Sequence, residues 1–302
     1  MSEITTDIKN LELETLNNLK RSKAHNTLRA YQADFKDFKL FCIKNGLVSL
    51  PTEPKILSIY LTHLSSFSKF STLKRRLASI KVIHKIKGHY LDTKHPIITE
   101  NLLGIKRIHG VKQKSKKPLL INDLKIIINK INEEKNEIKK LKNKSLILIG
   151  FAGGFRRSEL VSIEYDDIDF VPEGVKIFIK RSKTDQTGEG MTKAIPYFEN
   201  SSYCPVIALK KWIKIAGIKS GKIFNISDKS VALIIKKYAL LAGLDYTKYA
   251  GHSLRSGFAT STAEMGADER SIMSMTGHMK NIKYLYRSDI KKIIEQIDKI
   301  KI

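Results

Sequence analysis

Cysteine is nearly absent from this 302-residue chain, which holds only Cys42 and Cys204. Two cysteines cannot build a disulfide scaffold, and neither lies in a paired metal-ligand motif. Both read as small buried apolar residues, in a reducing compartment. Long apolar runs are missing too. No segment approaches the ~18–20 consecutive apolar residues of a membrane span. The opening stretch MSEITTDIKNLELE lacks the basic start and apolar block of a signal peptide. These absences predict a cytoplasmic chain with no membrane partner. Acidic residues are scarce: 30 Asp and Glu stand against 55 Lys and Arg, for a formal charge of +25. With 42% hydrophobic residues the chain can build cores, which excludes a disordered basic tail. No repeat is visible, and the only compositional bias is toward Lys and Ile. A charge this large favours a polyanionic partner, nucleic acid foremost, and an association with the nucleoid.

The sequence divides near residues 106–118, KRIHGVKQKSKKP. That run is basic, carries a glycine, ends at a proline and has no sustained apolar period, so it reads as an exposed linker. Residues 1–118 hold 23 Lys and Arg against 9 Asp and Glu, and the remainder 32 against 21. Both halves are therefore basic, as a clamp around a polyanion would need. The first half reads as helices. Leu28, Tyr31, Phe35, Phe38 and Cys42 recur at three and four residues and predict a helix from Thr27 to Gly46. Pro54 opens a second helix carrying Leu57, Tyr60, Leu61 and Leu64. Ser71 or Thr72 is the expected cap of a third, with Leu73, Leu77, Ile80 and Ile83 inward. Its Lys74, Arg75, Arg76, Lys81 and Lys85 suit either a solvated face or a DNA groove.

The second half is mixed. Ile121 to Ile131 has a helical period, and the apolar run from Lys144 to Ala152 leads into Gly-Gly. Val175–Lys180 and Ala194–Phe198 read as strands joined by the polar hairpin RSKTDQTGEGMTK. Helices are predicted at Pro205–Ala216, Ser227–Ala242, Leu254–Met265 and Glu269–Met275. Isoleucines 290, 293, 294, 297 and 300 give the C-terminal stretch an amphipathic helical period. Asp166, Asp167 and Asp169 form the densest acidic group and read as a surface turn. No carboxylates are spaced like a two-metal nuclease site.

Five short stretches carry candidate chemistry. GGFRRSEL at 153–160 is a glycine turn entering a helix, with Arg156 in its first turn and Glu159 placed to orient a basic group. RSKT places Lys183 at a strand end. GHSLRS at 251–256 puts His252 and Arg255 one helical turn apart on one face. TGH at 276–278 is another turn, and Tyr284 and Tyr286 follow. In this order and with these separations the chain resembles the tyrosine recombinase (phage integrase) family across residues 150–287. The basic helices and linker before them resemble that family's core-binding domain.

The resemblance implies an α+β chain, mainly α-helical. A helical core-binding, DNA-binding domain over 8–108 and a basic linker over 109–116 precede a catalytic domain over 117–302 with a small antiparallel sheet. It implies a site-specific recombinase that cleaves and rejoins double-stranded DNA through a 3′-phosphotyrosyl intermediate, as a homo-tetramer on paired sites, with no cofactor. Its catalytic positions fall on Arg156, Lys183, His252, Arg255 and His278. The family's nucleophile lies nine residues after that histidine, where this chain has Arg287. Tyr286 is one residue short and Tyr284 three, and the smaller change selects Tyr286. Two arginines can fork onto the non-bridging oxygens of a phosphate. Lys183 would protonate the leaving 5′-oxygen, His252 would face the tyrosine hydroxyl, and His278 would donate to a non-bridging oxygen. Two alternatives share the resemblance: a catalytically silent DNA-binding protein of the same fold, and type IB topoisomerase-like relaxation.

Overall fold

In the computed structural model, residues 25–110, 116–182 and 189–277 are described, with Asn10, Leu11 and Glu14. The chain separates into two compact units, 1–114 and 115–302. Among the described residues of the first, four helices follow one another: α1 (His25–Lys44), α2 (Pro54–Ser65), α3 (Phe70–Ile86) and α4 (Pro96–His109). The 3.6-residue spacing of the apolar positions gives each helix one stripe to bury. Phe38, Cys42, Leu57, Tyr60, Leu61, Leu64, Leu73, Ile80, Ile98 and Ile105 meet in one core. Pro54 and Pro96 sit at helix starts, where the missing N–H costs nothing. Gly46, just past α1, has φ +66°, the left-handed conformation that glycine reaches without strain.

Two expectations change here. The third helix begins at Phe70 after Lys69, which makes no side-chain cap, so neither Ser71 nor Thr72 caps it. Helix α4 was not apparent from the sequence, and it runs to His109, so Lys106 and Arg107 belong to its last turn rather than to a linker. There they complement the helix dipole.

The cationic face of α3 is also smaller than its sequence suggests. Arg75 and Arg76 form ion pairs with Asp34 and Asp37 of α1. Ser79 Oγ donates to Asp34 at 2.7 Å, and the Tyr60 hydroxyl donates to Asp37 at 2.6 Å. Asp34 is buried, so these pairs answer the cost of placing its charge in the helix interface. The exposed cations on α3 are Lys74, Lys81 and Lys85, with Arg75 half in contact with Asp34.

The second unit holds α5 (Ile121–Asn132), α6 (Glu137–Ala152), α7 (Arg157–Ser162), β1 (Ile168–Val171), β2 (Gly174–Ile179), β3 (Met191–Pro196), α8 (Pro205–Ile215), α9 (Asp228–Leu241), α10 (Ser253–Glu264) and α11 (Glu269–Thr276). The sheet is antiparallel in the order β1–β2–β3, with Ile168 opposite Ile177 and Val175 opposite Ile195. Helix α6 is buried nearly all round over its last eight residues and forms the centre of the core, with Leu124, Ile128, Leu209, Trp212, Ile235 and Leu254 around it. Among the described residues the chain is thus mainly helical with one small antiparallel sheet.

Two local readings are adjusted. The first strand, β1, replaces part of the expected acidic surface turn. Asp167 is buried, accepts from the Glu164 N–H at 3.0 Å and pairs with Lys180 at 3.1 Å. The last strand starts at Met191, three residues earlier than the alternation suggested. The isoleucine-rich stretch 290–302 lies outside the described residues. Both cysteines are free and buried, as expected. No described helix is long and apolar enough to cross a membrane.

Candidate active site

The site is built around the turn between α6 and α7. Helix α6 ends at Ala152, and Gly154 then takes φ +54°. A Cβ there would lie 2.9 Å from Phe258 Cδ1 and 3.2 Å from Thr276 Cγ2. Conformation and space both demand glycine. The turn delivers Arg156 as the residue capping α7. Glu159, three residues on, folds back to accept from the Arg156 N–H at 2.9 Å and from Arg156 Nη1 at 2.6 Å. This is the reciprocal geometry of a helix-capping carboxylate, with an arginine tied into it.

Arg156 is fixed on two further sides. Its Nη1 donates to Ser182 Oγ at 2.7 Å, and its Nη2 to the Gly277 carbonyl at 3.3 Å. Ser182 Oγ in turn donates to Glu159 Oε1 at 3.0 Å. One guanidinium therefore joins α7, the end of the β2 segment and the C-terminal end of α11. Glu159 is 2% exposed. Burial raises its pKa, but Lys193 and Arg156 outweigh burial and hold it below the ordinary carboxylate range.

Arg255 reaches the same turn from α10. Its Nη1 donates to the Gly154 carbonyl at 3.0 Å. The residue is 5% exposed, and its Nη2 is buried without an acceptor among the described residues. Burial, and then Arg156, bring its pKa down to about 10, with Glu159 opposing, so it remains a cation at neutral pH. An unpaired buried guanidinium N–H costs on the order of 1–3 kcal/mol or more. Such an atom is suited to an anionic acceptor that arrives with a ligand. His252 stands at the start of α10, exposed, one turn before Arg255. A Cβ at Gly251, just before it, would fall 1.7 Å from Arg157 Cδ and would force that side chain to move.

The structure thus brings Arg156 and Arg255 onto one glycine turn and places His252 at the head of the helix that carries Arg255. Gly277 closes α11 in the left-handed conformation, as expected for the TGH turn. Lys183, His278, Tyr284 and Tyr286 lie outside the described residues. Among the described residues no group of three His, Cys, Asp or Glu could hold a metal ion. Two contributors were hidden. Ser182 looked like a hairpin residue, yet it is a direct partner of Arg156. Lys193 was read as part of the polar hairpin, yet it is fully buried in β3. The signal for it is period two: Lys193 shares a strand face with Ile195, opposite Thr192.

A glycine turn with two converging arginines and a histidine one turn from the second matches a known class. The phage integrase family model covers residues 119–287, and the chain belongs to that family, the tyrosine-type DNA recombinases. An integrase/recombinase xerD homolog from Selenomonas ruminantium is 42% identical over 292 residues, covering 92% of this chain and 85% of that protein. A tyrosine recombinase XerC from Staphylococcus aureus is 28% identical over 272 residues, covering 87% of this chain and 86% of that one. Among solved structures, XerH site-specific recombinase bound to a palindromic difH substrate superposes with TM-score 0.59 at 18% identity, over 82% of this chain and 70% of that one. A lambda integrase tetramer bound to a Holliday junction gives TM-score 0.57 at 16% identity, over 92% and 78%. Those two structures share the fold.

Proposed function

We propose that this chain cleaves and rejoins double-stranded DNA at specific sites, with Arg156 and Arg255 holding the scissile phosphate. The observation that carries the reading is the buried Nη2 of Arg255, without an acceptor among the described residues, on the same turn that presents Arg156. A phosphate oxygen would satisfy that donor and bring charge to a cationic site. In the reaction the hydroxyl oxygen of Tyr286 attacks phosphorus and the bond to the 5′-oxygen breaks. Lys183 protonates the departing oxygen, and His252 takes or shares the tyrosine proton. His278 and the two arginines carry the charge of the transition state. The phosphotyrosyl ester conserves the bond energy, so the step reverses when a 5′-hydroxyl attacks it. Removing one arginine should cost on the order of 10²–10³ in rate.

The helical unit acts as the DNA-binding half and the mixed unit as the catalytic half, joined by the basic segment at 109–116. Net charge of +25 and the DNA-bound state of the structural neighbours support a DNA partner in the nucleoid. The tetramer of the lambda integrase structure supports four protomers on paired sites.

The test is covalent trapping. Nicked duplexes tiled across the DNA flanking the protein's own gene are incubated with wild type, Tyr286→Phe and Tyr284→Phe, then denatured in SDS. The expected result is an adduct mapped to Tyr286 that only Tyr286→Phe abolishes. An adduct on Tyr284 would replace the nucleophile. Specific, salt-sensitive binding with no adduct would make the protein a silent binder. Relaxation of any supercoiled plasmid without paired sites would make it a topoisomerase.

A further inference from the structure

Among the described residues Lys193 is the most completely buried charged side chain, at 0% exposure. A lysine in that position is costly unless its donors are met. They are met by backbone alone. Nζ donates to the Gly153 carbonyl at 2.7 Å and to the Met275 carbonyl at 2.7 Å, with the Gly154 carbonyl at 3.5 Å. Glu159 Oε2 stands 3.9 Å away, and the Phe155 ring centroid lies 4.5 Å below. Those acceptors match an ammonium, which has three hydrogens to give. Burial draws its pKa down to about 7, with Glu159 opposing the shift and Arg255 and Arg156 adding to it.

The acceptors are more telling than their number. Gly153 and Gly154 form the turn that presents Arg156, and the Gly154 carbonyl also receives Arg255. Met275 lies two residues before Gly277, whose carbonyl receives Arg156. Glu159 is the carboxylate that grips Arg156. One ammonium on β3 therefore touches the glycine turn, the carboxylate that grips Arg156 and the end of α11. It also pins the end of α11, from which the chain runs on to His278. A fully buried Nζ is not placed to protonate a leaving oxygen, so the proton-donor role is not assigned to Lys193.

We propose that Lys193 is a positioning residue, an internal ammonium that locks the glycine turn, Glu159 and the end of α11 into the register in which both arginines can bind one phosphate. The proposal rests on the reading of Arg156 and Arg255 as the phosphate clamp. A residue of this kind leaves DNA binding intact, because that depends on many surface contacts. It acts on the chemical step, where misplacement by about 1 Å costs on the order of 10²-fold.

The experiment compares wild type, Lys193→Met, Lys193→Arg, Arg156→Ala and Arg255→Ala on one nicked duplex, the tiled fragment that yields the wild-type adduct. Methionine keeps the length and volume of the stem and removes the charge. DNA affinity, the single-turnover rate of adduct formation at saturating DNA, and thermal unfolding are measured for each. The expected result is a folded Lys193→Met that binds DNA within threefold of wild type and forms adduct about 10²-fold more slowly. Lys193→Arg should regain at least tenfold of that loss. Adduct formation by Lys193→Met within threefold of wild type would overturn the proposal. So would a Lys193→Met that fails to fold, since the lysine would then serve the core, and so would a loss confined to DNA affinity. If Arg156→Ala and Arg255→Ala also cleave at the wild-type rate, the clamp reading fails instead, and the two failures are told apart.

Discussion

Replacing Glu159 by Gln is the sharpest test of how the site is held together. Glutamine keeps the shape and one acceptor, so it can still receive the Arg156 N–H as a capping residue. It cannot also accept from Arg156 Nη1 and Ser182 Oγ, because its second atom is a donor. The charge is the larger loss. Glu159 is 2% exposed and lies 2.6 Å from Arg156 and 3.9 Å from Lys193. Removing one partner of a buried pair costs about 3–5 kcal/mol. For a unit of this size that is roughly 6–20 °C in Tm, at about 2–4 °C per kcal/mol.

The pH dependence gives the reasoning a second check. Glu159 has its pKa lowered in the folded chain, so its contribution is present above the unfolded value, near 4.3, and fades as pH falls through the folded one. Lys193 is a base whose pKa is lowered to about 7 from an unfolded value of about 10.4. Its burial penalty is therefore fully felt below pH 7 and shrinks above it. Without Glu159, the lysine sheds its proton at still lower pH. The stability gap between wild type and Glu159→Gln should be widest at the acid end, where Lys193 is protonated in both, should narrow as pH rises toward 7 and the variant's lysine loses its proton first, and should stay level once Lys193 is neutral in both. Calorimetric or circular-dichroism melts of the full chain from pH 4 to 9 measure this. A loss under about 1 kcal/mol, or a gap flat across that range, would refute the claim that this carboxylate compensates the buried cations.

Three further outcomes are expected. In the helical unit, buried His84 accepts the Thr52 N–H at Nε2 (3.1 Å), and Nδ1 faces the Ile80 carbonyl at 2.9 Å, which makes Nδ1 the donor. Burial, foremost, lowers its pKa. The unfolded chain then binds more protons below about pH 6.5, and stability falls as pH drops through that value toward the folded pKa. Melts at pH 7.5 and 5.0 should show a drop that His84→Gln reduces, and an unchanged drop would exonerate this histidine. On α3, Lys81→Ala and Lys85→Ala should each lower the slope of log K against log salt by about 0.9 in filter binding. Arg75→Ala should instead lower Tm, because buried Asp34 loses its partner. Equal slopes for wild type and both lysine variants would remove α3 from the DNA contact. Sulfate at matched ionic strength should raise the wild-type Tm over chloride by more than it raises that of Arg255→Met, and equal increments would mean that the buried guanidinium binds no oxyanion.

The helical stripes and the ordered motifs were legible because each is local. Phe35, Phe38 and Cys42 lie on one face whatever they pack against, and Gly153–Gly154 favours a turn through its backbone freedom alone. Helix α4 was harder, since its Ile97–Ile98 and Leu102–Leu103 pairs blur a single stripe and its basic end imitates a linker. Charge was misread where tertiary pairing overrides composition. Arg75 and Arg76 look like Lys74 in sequence, yet Asp34 and Asp37, some forty positions earlier, claim them. The same holds for Ser182 and Lys193, whose partners lie at 156, 159, 153 and 275. No local pattern announces a lysine whose acceptors are backbone carbonyls on other elements.

The described residues of the site carry three cations, Arg156, Arg255 and Lys193, against the single carboxylate of Glu159. A low-dielectric pocket with such an excess is unfavourable by itself, and the lowered pKa of both Arg255 and Lys193 reflects the mutual repulsion as well as burial. That imbalance is what a site for a phosphodiester requires. If carboxylates neutralised every cation, the incoming phosphate would have to displace them and would gain little. If Arg255 binds the phosphate as proposed, its Nη2, which has no acceptor among the described residues, keeps part of the electrostatic stabilisation in reserve for the bound state, and most of all for the transition state, where charge on the phosphoryl oxygens is greatest. On that reading the stability forgone in the free protein would return as affinity and rate, which is the trade expected where a site is organised before its ligand arrives.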